Sequence, residues 1–241
     1  MTPTKQARGQ VFKSIYPRYP YRQLSLSRSY FFALSLLLTA FFSVAQSNKL
    51  TDLAVQARFG SQAVTRLHNW NDLLTSQQTR SPIEKIEVTN HFFNSRLHFV
   101  GDKKNWGRED YWATPLETLS LNAGDCEDYA IAKYFTLLRL GIPVGQLRLI
   151  YVKAQIGGSS SKIFQPHMVL GYYEQPNAVP YILDSLVTTV EAADKRSDLY
   201  PIYSFNTAGL WVGHQTEAHS DPTARLSKWR NLLERMKQEG F

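Results

Sequence analysis

From Cys126 to Leu140 the chain reads as a helix that is apolar on nearly every side, with Tyr129, Ala130, Ile131, Ala132, Tyr134, Phe135, Leu137 and Leu138. A helix without a polar face has to be buried, so the rest of the chain must form layers around it. Gly141 stands where a C-terminal cap belongs, and Pro143 lies just beyond. Residues 50 to 78 carry apolar residues at near-helical spacing with a break at Gly60, and a second helical stretch covers about 83 to 95. Strand patterns rich in β-branched and aromatic residues follow at Leu147 to Ala154, His167 to Tyr173 and Tyr181 to Leu186. A last helix starts at Asp221-Pro222, a cap followed by a proline in the first turn, and puts Leu226, Trp229 and Leu233 on one face. Phe99 to Pro115 is rich in turn formers and has no clear period, which predicts a long loop. Gly157 to Ser161 reads as a flexible one. These elements predict an α+β fold in which the cysteine-bearing helix packs on an antiparallel sheet, with further helices towards both ends.

The formal charge of +7 would suit a nucleic-acid or membrane-surface binder if it were spread over a folded domain. Six of the 27 Lys and Arg residues, Lys5, Arg8, Lys13, Arg18, Arg22 and Arg28, fall within residues 1–45, which hold no Asp or Glu. The remainder carries 21 basic against 20 acidic residues, so nucleic acid is not an expected partner. After Arg28 come the apolar run Tyr30 to Phe42 and then Ser43-Val44-Ala45, with small residues at the −3 and −1 positions. This predicts a secretory signal peptide over 1–45, cleaved after Ala45, and a single domain over 46–241. The alternative is a retained anchor, against which the run is shorter than the ~20 residues a spanning helix needs.

Cys126 is the only cysteine in 241 residues. In an exported chain it cannot form an internal disulfide, so the fold is not a disulfide scaffold. Placed where a helix begins, its thiolate would be stabilised by backbone N–H groups and the helix dipole. Asp125, Glu127 and Asp128 act in the opposite direction, because carboxylates beside a thiol raise its pKa unless a cation neutralises them. These acids are hard oxygen donors of the kind Ca²⁺ prefers. The alternatives are a buried inert cysteine and acids that only complement the helix N-terminus.

A cysteine nucleophile needs a base, and the base a partner that fixes its tautomer. His167 stands at the head of one expected strand and Asp184 near the end of the next, with turn formers Gln175-Pro176-Asn177 between. An antiparallel hairpin centred there would set His167 opposite Asp184 on one sheet face. His68, His91, His98, His214 and His219 have no comparable partner placement.

Gly124-Asp125-Cys126-Glu127-Asp128-Tyr129-Ala130-Ile131-Ala132-Lys133-Tyr134, preceded by Trp106-Gly107 and by Asp110-Tyr111-Trp112-Ala113-Thr114-Pro115, resembles the bacterial transglutaminase-like cysteine proteinases of the LapG type. His167-Met168-Val169-Leu170, Leu183-Asp184 and Tyr203-Ser204-Phe205-Asn206 through Gly209-Leu210-Trp211 are similar to the family as well. The resemblance implies a papain/transglutaminase-like core, with Cys126, His167 and Asp184 as the catalytic triad and Ca²⁺ bound beside the cysteine at Asp125, Glu127 and Asp128. It also implies a periplasmic protease that cuts near the N-terminus of a very large, repeat-containing surface adhesin, after a paired-alanine site, and so releases cells from a biofilm. A further implied partner is the periplasmic domain of an inner-membrane cyclic di-GMP receptor, which holds the enzyme inactive by inserting a tryptophan near the active site. Trp106, Tyr111 and Trp112 are expected to line the substrate groove; the alternative is ordinary aromatic packing. Acyl transfer to an amine, and a binding module that has lost turnover, remain as competing readings.

Overall fold

The computed structural model describes residues 52–213, 218 and 220–240. The expected signal peptide over 1–45 lies outside the described residues. Three helices open the described chain: α1 (Asp52–Phe59), α2 (Ser61–Ser76) and α3 (Pro82–Asn94). The start of α3 is fixed by a capping box, in which the Ser81 hydroxyl accepts from the Glu84 N–H and the Glu84 carboxylate accepts from the Ser81 N–H, with Pro82 in the first turn. Next come β1 (His98–Phe99), α4 (Asp102–Trp106), α5 (Pro115–Leu121), β2 (Ala123–Gly124) and α6 (Cys126–Arg139). Thr114 and Glu117 repeat the capping box at α5.

The expected loop from Phe99 to Pro115 therefore contains α4, which at five residues is too short to leave a period in the sequence. β1 and β2 pair in parallel, His98 with Ala123 and Phe99 with Gly124, and tie this segment to the start of α6. Helix α6 ends where Gly141 adopts φ 86, a conformation that favours glycine.

The six strands that follow are β3 (Leu147–Ile156), β4 (Ile163–Tyr172), β5 (Tyr181–Leu183), β6 (Glu191–Ala192), β7 (Leu199–Phe205) and β8 (Leu210–Val212). They form one antiparallel sheet in the order β6-β5-β4-β3-β7-β8. β4 starts four residues before His167, so that histidine lies inside the strand rather than at its head. Pro166 obscured the start in the sequence. It is tolerated because β5 pairs only with Leu170 to Tyr172, leaving the outer edge of β4 without a partner strand at that point. β7 was hidden by Pro201 and by a register shift opposite Tyr151 and Val152.

Alternation along β3 sends Leu147 and Leu149 into the main core and Ile150, Val152 and Ala154 into a second apolar cluster on the other sheet face. The main core is built around α6, whose Tyr129, Ala130, Ile131, Ala132, Tyr134 and Leu137 are all buried. The expected single C-terminal helix is two, α7 (Pro222–Arg225) and α8 (Ser227–Gln238), because Leu226 leaves helical geometry between them. Trp229, Leu232 and Met236 of α8 are buried, and the expected Leu226 and Leu233 pack part-buried against the same core. Trp229 is fully buried against Phe135, stacked at 5.8 Å, and against Phe205, edge-on at 5.1 Å, so α8 closes the core over α6. Trp229→Ala is expected to cost about 3–5 kcal/mol of stability, read as the urea midpoint. A loss under about 1 kcal/mol would show that α8 does not close the core.

Candidate active site

Cys126 is the first residue of α6 and is half-buried. Its S–H donates to Glu127 Oε2 at 3.0 Å, and the Met168 backbone N–H is directed at the sulfur. Burial, then the charges of Glu127 and Asp125, push the thiol pKa up. The thiol opens into a cavity of about 340 Å³ that is also lined by His167, Trp112, Met168, Tyr151 and Tyr203. Cysteine and histidine thus face the same space.

His167 Nε2 and Asp184 Oδ1 are 2.7 Å apart, both side chains buried. Asp184 lies just past the end of β5, and the β4–β5 ladder pairs Leu170 with Leu183, two residues out of the expected register. An even offset keeps every side chain on its face, so the two residues still meet. Asp184 Oδ1 also accepts from the Leu186 N–H (3.0 Å), and Oδ2 accepts from Arg196 Nη2 (2.8 Å). Burial raises the Asp184 pKa, but His167, the Leu186 N–H and Arg196 outweigh it and hold the carboxyl well below the usual range. An ionised Asp184 accepts only, so Nε2 carries the histidine proton and Nδ1 is left as the basic nitrogen.

The Asp184 backbone is held with equal care. Its carbonyl accepts from Asn94 Nδ2 (2.7 Å) and from Lys133 Nζ (3.0 Å), which also donates to Asn90 Oδ1 (2.8 Å). Lys133, two turns into α6, is fully buried, and burial brings its pKa down to about 7. Arg196 is itself held by Asp198 through Nε (2.9 Å) and Nη2 (2.8 Å). Arg196, Lys133 and Asn94 escaped the sequence reading, since nothing local sets them apart from surface residues.

On the other side of Glu127 lies an acidic basin. Asp102, Asp110, Asp125, Glu127 and Asp128 fall into overlapping groups whose ligand atoms lie within 4.8 Å of one another. Burial first, and then Asp125, raises Asp102 to about 6; burial first, and then Glu127, raises Asp125 to about 8; Asp128 is raised in the same way. Asp102 Oδ1 and Asp125 Oδ1 are buried without a hydrogen-bond partner among the described residues. Two unpartnered carboxylate oxygens among clustered all-oxygen donors, with Asp102, Asp125 and Asp128 raised together, fit a hard divalent cation. Asp128 shares one of these groups with Asp102 and Asp125 and also braces the backbone. Its Oδ1 accepts from the Ala113 N–H (2.7 Å) and Oδ2 from the Asp125 N–H (3.3 Å), so both oxygens hold the loop. Asp102 and Asp110 come into reach as well, from a segment with no spacing that would have marked them.

Gly124 belongs to this arrangement. A Cβ there would lie 2.6 Å from Asp128 Cβ, so Gly124→Ala is expected to displace Asp128 and cost about 1–3 kcal/mol, measured by thermal melting. An unchanged melting temperature would refute the close approach.

Of the expected groove aromatics, only Trp112 faces the thiol cavity. It stacks on Phe205 at 5.6 Å. Tyr111 lines an adjoining cleft, which shares Asp110, Trp112 and Lys228 with the thiol cavity, and its hydroxyl donates to Glu117 Oε1 at 3.0 Å. Trp106 packs on Tyr111 at 4.6 Å and lies outside the lining of the thiol cavity. The segment turns Trp106 and Tyr111 away because Asp102, in the same short helix as Trp106, accepts from the Tyr111 N–H. The remaining cavity aromatics, Tyr151 and Tyr203, stack at 5.1 Å from neighbouring strands.

The family model of bacterial transglutaminase-like cysteine proteinases matches residues 63–215. The structure of Legionella pneumophila LapG treated with EGTA is similar at a TM-score of 0.66 and 35% identity, over 78% of this chain and 98% of that one. Calcium-bound Legionella pneumophila LapG is similar at a TM-score of 0.63 and 35% identity, over 77% of this chain and 99% of that one. A comparison with curated proteins finds no match. With a half-buried cysteine at a helix start, a histidine in the same cavity and the family model spanning both, the chain belongs to the bacterial transglutaminase-like cysteine proteinases and is a cysteine protease.

Proposed function

We propose that this protein is a calcium-dependent periplasmic endopeptidase that cleaves the N-terminal region of a large, repeat-containing surface adhesin and so releases biofilm cells. The observation that carries the chemistry is the His167–Asp184 contact at 2.7 Å beside the cavity that holds the Cys126 thiol. In this reading His167 Nδ1 takes the Cys126 proton, and the sulfur attacks the scissile carbonyl to form an acyl-enzyme. The same imidazolium gives its proton to the leaving amine, and water then releases the acyl group. Asp184 fixes the tautomer and stabilises the imidazolium. In this reading backbone N–H groups at the start of α6, that of Cys126 among them, take the oxyanion, a contribution of about 3 kcal/mol to lowering the barrier.

Ca²⁺ in this reading is held among Asp125, Glu127 and Asp128, with Asp102 and Asp110 as further donors in the same basin. Bound there, it would offset the negative field that keeps the Cys126 thiol protonated. Calcium-bound and EGTA-treated forms of the Legionella relative support this ion over softer ones. Restraint by the periplasmic domain of an inner-membrane cyclic di-GMP receptor completes the proposal and rests on family membership.

The test is to incubate the protein with the adhesin N-terminal region, with and without chelator, and sequence the products. Two hydrolysed fragments, formed only with calcium, are expected. Isopeptide or amine adducts in place of fragments would make the enzyme an acyl transferase, and an uncut substrate would remove the adhesin assignment.

A further inference from the structure

The largest cavity among those described, about 560 Å³, is not the thiol cavity. It lies on the sheet face that carries the second apolar cluster, with Ile150, Val152, Val169, Ile182 and Leu199 in its walls. A volume of roughly 300–1,000 Å³ with apolar walls and a few convergent polar groups is what a small-molecule site requires.

Two arginines enter this apolar lining, Arg148 and Arg196, each more than nine-tenths buried. Arg148 has no carboxylate partner among the described residues. Its guanidinium lies over the Trp211 ring at 4.1 Å and the Tyr173 ring at 4.7 Å, which fixes its plane, and its buried Nε has no hydrogen-bond acceptor. Buried charges are otherwise paired, so Arg148 presents an unmet demand for an anion. Arg196 Nη1 is also buried without an acceptor, although its Nε and Nη2 are engaged by Asp198 and Asp184. Asp194, the carboxylate in the lining, is exposed.

We propose that this cavity binds a small aliphatic carboxylate, its chain against Ile150, Val152 and Leu199 and its head on Arg148, with Arg196 as the second donor. The lining of this cavity has only Tyr203 in common with that of the thiol cavity, which includes neither arginine. Arg196 also holds Asp184, so a second carboxylate drawing on its charge loosens that hold. This link, unlike the binding itself, rests on the proposed role of Asp184.

The experiment titrates the calcium-loaded protein calorimetrically with octanoate, acetate and 1-octanol. Octanoate is expected to bind saturably, one per chain, with acetate and octanol each at least about tenfold weaker, since one lacks the chain and the other the charge. Arg148→Met is expected to weaken octanoate at least about tenfold while the rate of Cys126 alkylation by iodoacetamide stays unchanged. Leu199→Glu, which sets a like charge in the wall without touching Arg148, should abolish binding whether or not the arginine variant folds. Absence of saturable octanoate binding, equal binding of octanol, or full binding by either variant would overturn the site. Saturating octanoate is expected to slow Cys126 alkylation several-fold in the unaltered protein; an unchanged rate with octanoate bound would overturn the link through Arg196.

Discussion

Asp184→Asn is expected to lower kcat by about 10⁴-fold, with substrate affinity little changed. Many cysteine proteases work with an amide at this position, but here both carboxylate oxygens face donors. Oδ1 accepts from His167 and the Leu186 N–H, and Oδ2 accepts from Arg196. Asparagine offers one oxygen. If its NH₂ faces Arg196, two donors meet in a buried site; if it faces His167, it locks the tautomer that protonates Nδ1 and removes the base. The same replacement alters the pH dependence of stability. The folded-state pKa of Asp184 lies below its unfolded value, so its contribution is present above the ordinary carboxylate range, about pH 4, and is lost as pH falls through the folded value. Acid denaturation of the unaltered protein should therefore include a component that the asparagine variant lacks. A kcat within tenfold of the unaltered enzyme would remove Asp184 from the mechanism, and Cys126→Ala at background activity with an unchanged melting temperature supplies the reference.

Chelation is expected to abolish activity and lower the melting temperature, and calcium to restore both. A ligand at a hundred times its Kd adds about 2.7 kcal/mol to stability, so the shift should be several degrees. The acidic basin gives this effect a pH signature. Asp125 and Asp102 titrate at about 8 and about 6 in the folded chain, above their unfolded values. Carboxyls raised in this way bind protons in the folded state that the unfolded chain has already released, so stability without calcium should fall as pH rises from about 4 to 8. Calcium removes the need for those protons and should flatten the fall. Equal melting temperatures in chelator and in calcium near pH 8 would exclude a structural ion at this site.

Parity explains why the His167–Asp184 pair could be anticipated although its strands were placed inaccurately. Turn residues at 175–177 located the reversal, and the two-residue error in register returned both side chains to the same face. A one-residue error would have separated them. The cysteine helix was legible for a different reason: an apolar run bounded by Gly141 has only one way to avoid water. The two-part C-terminal helix was not legible, because the break at Leu226 has no proline or glycine to announce it.

The sequence by itself determined the central buried helix, the lone thiol at its start and the strand-borne histidine with an aspartate on the same face, because periodicity, capping and turn chemistry act over a few residues. Only the tertiary structure decided that Asp102 and Asp110 join Asp125 and Glu127, that Asp128 turns inward to hold the loop, and that Arg196, Lys133 and Asn94 converge on Asp184. Those contacts join residues far apart in the chain. They exist because buried charges and carbonyls must find partners wherever packing brings them, a demand that leaves no local pattern.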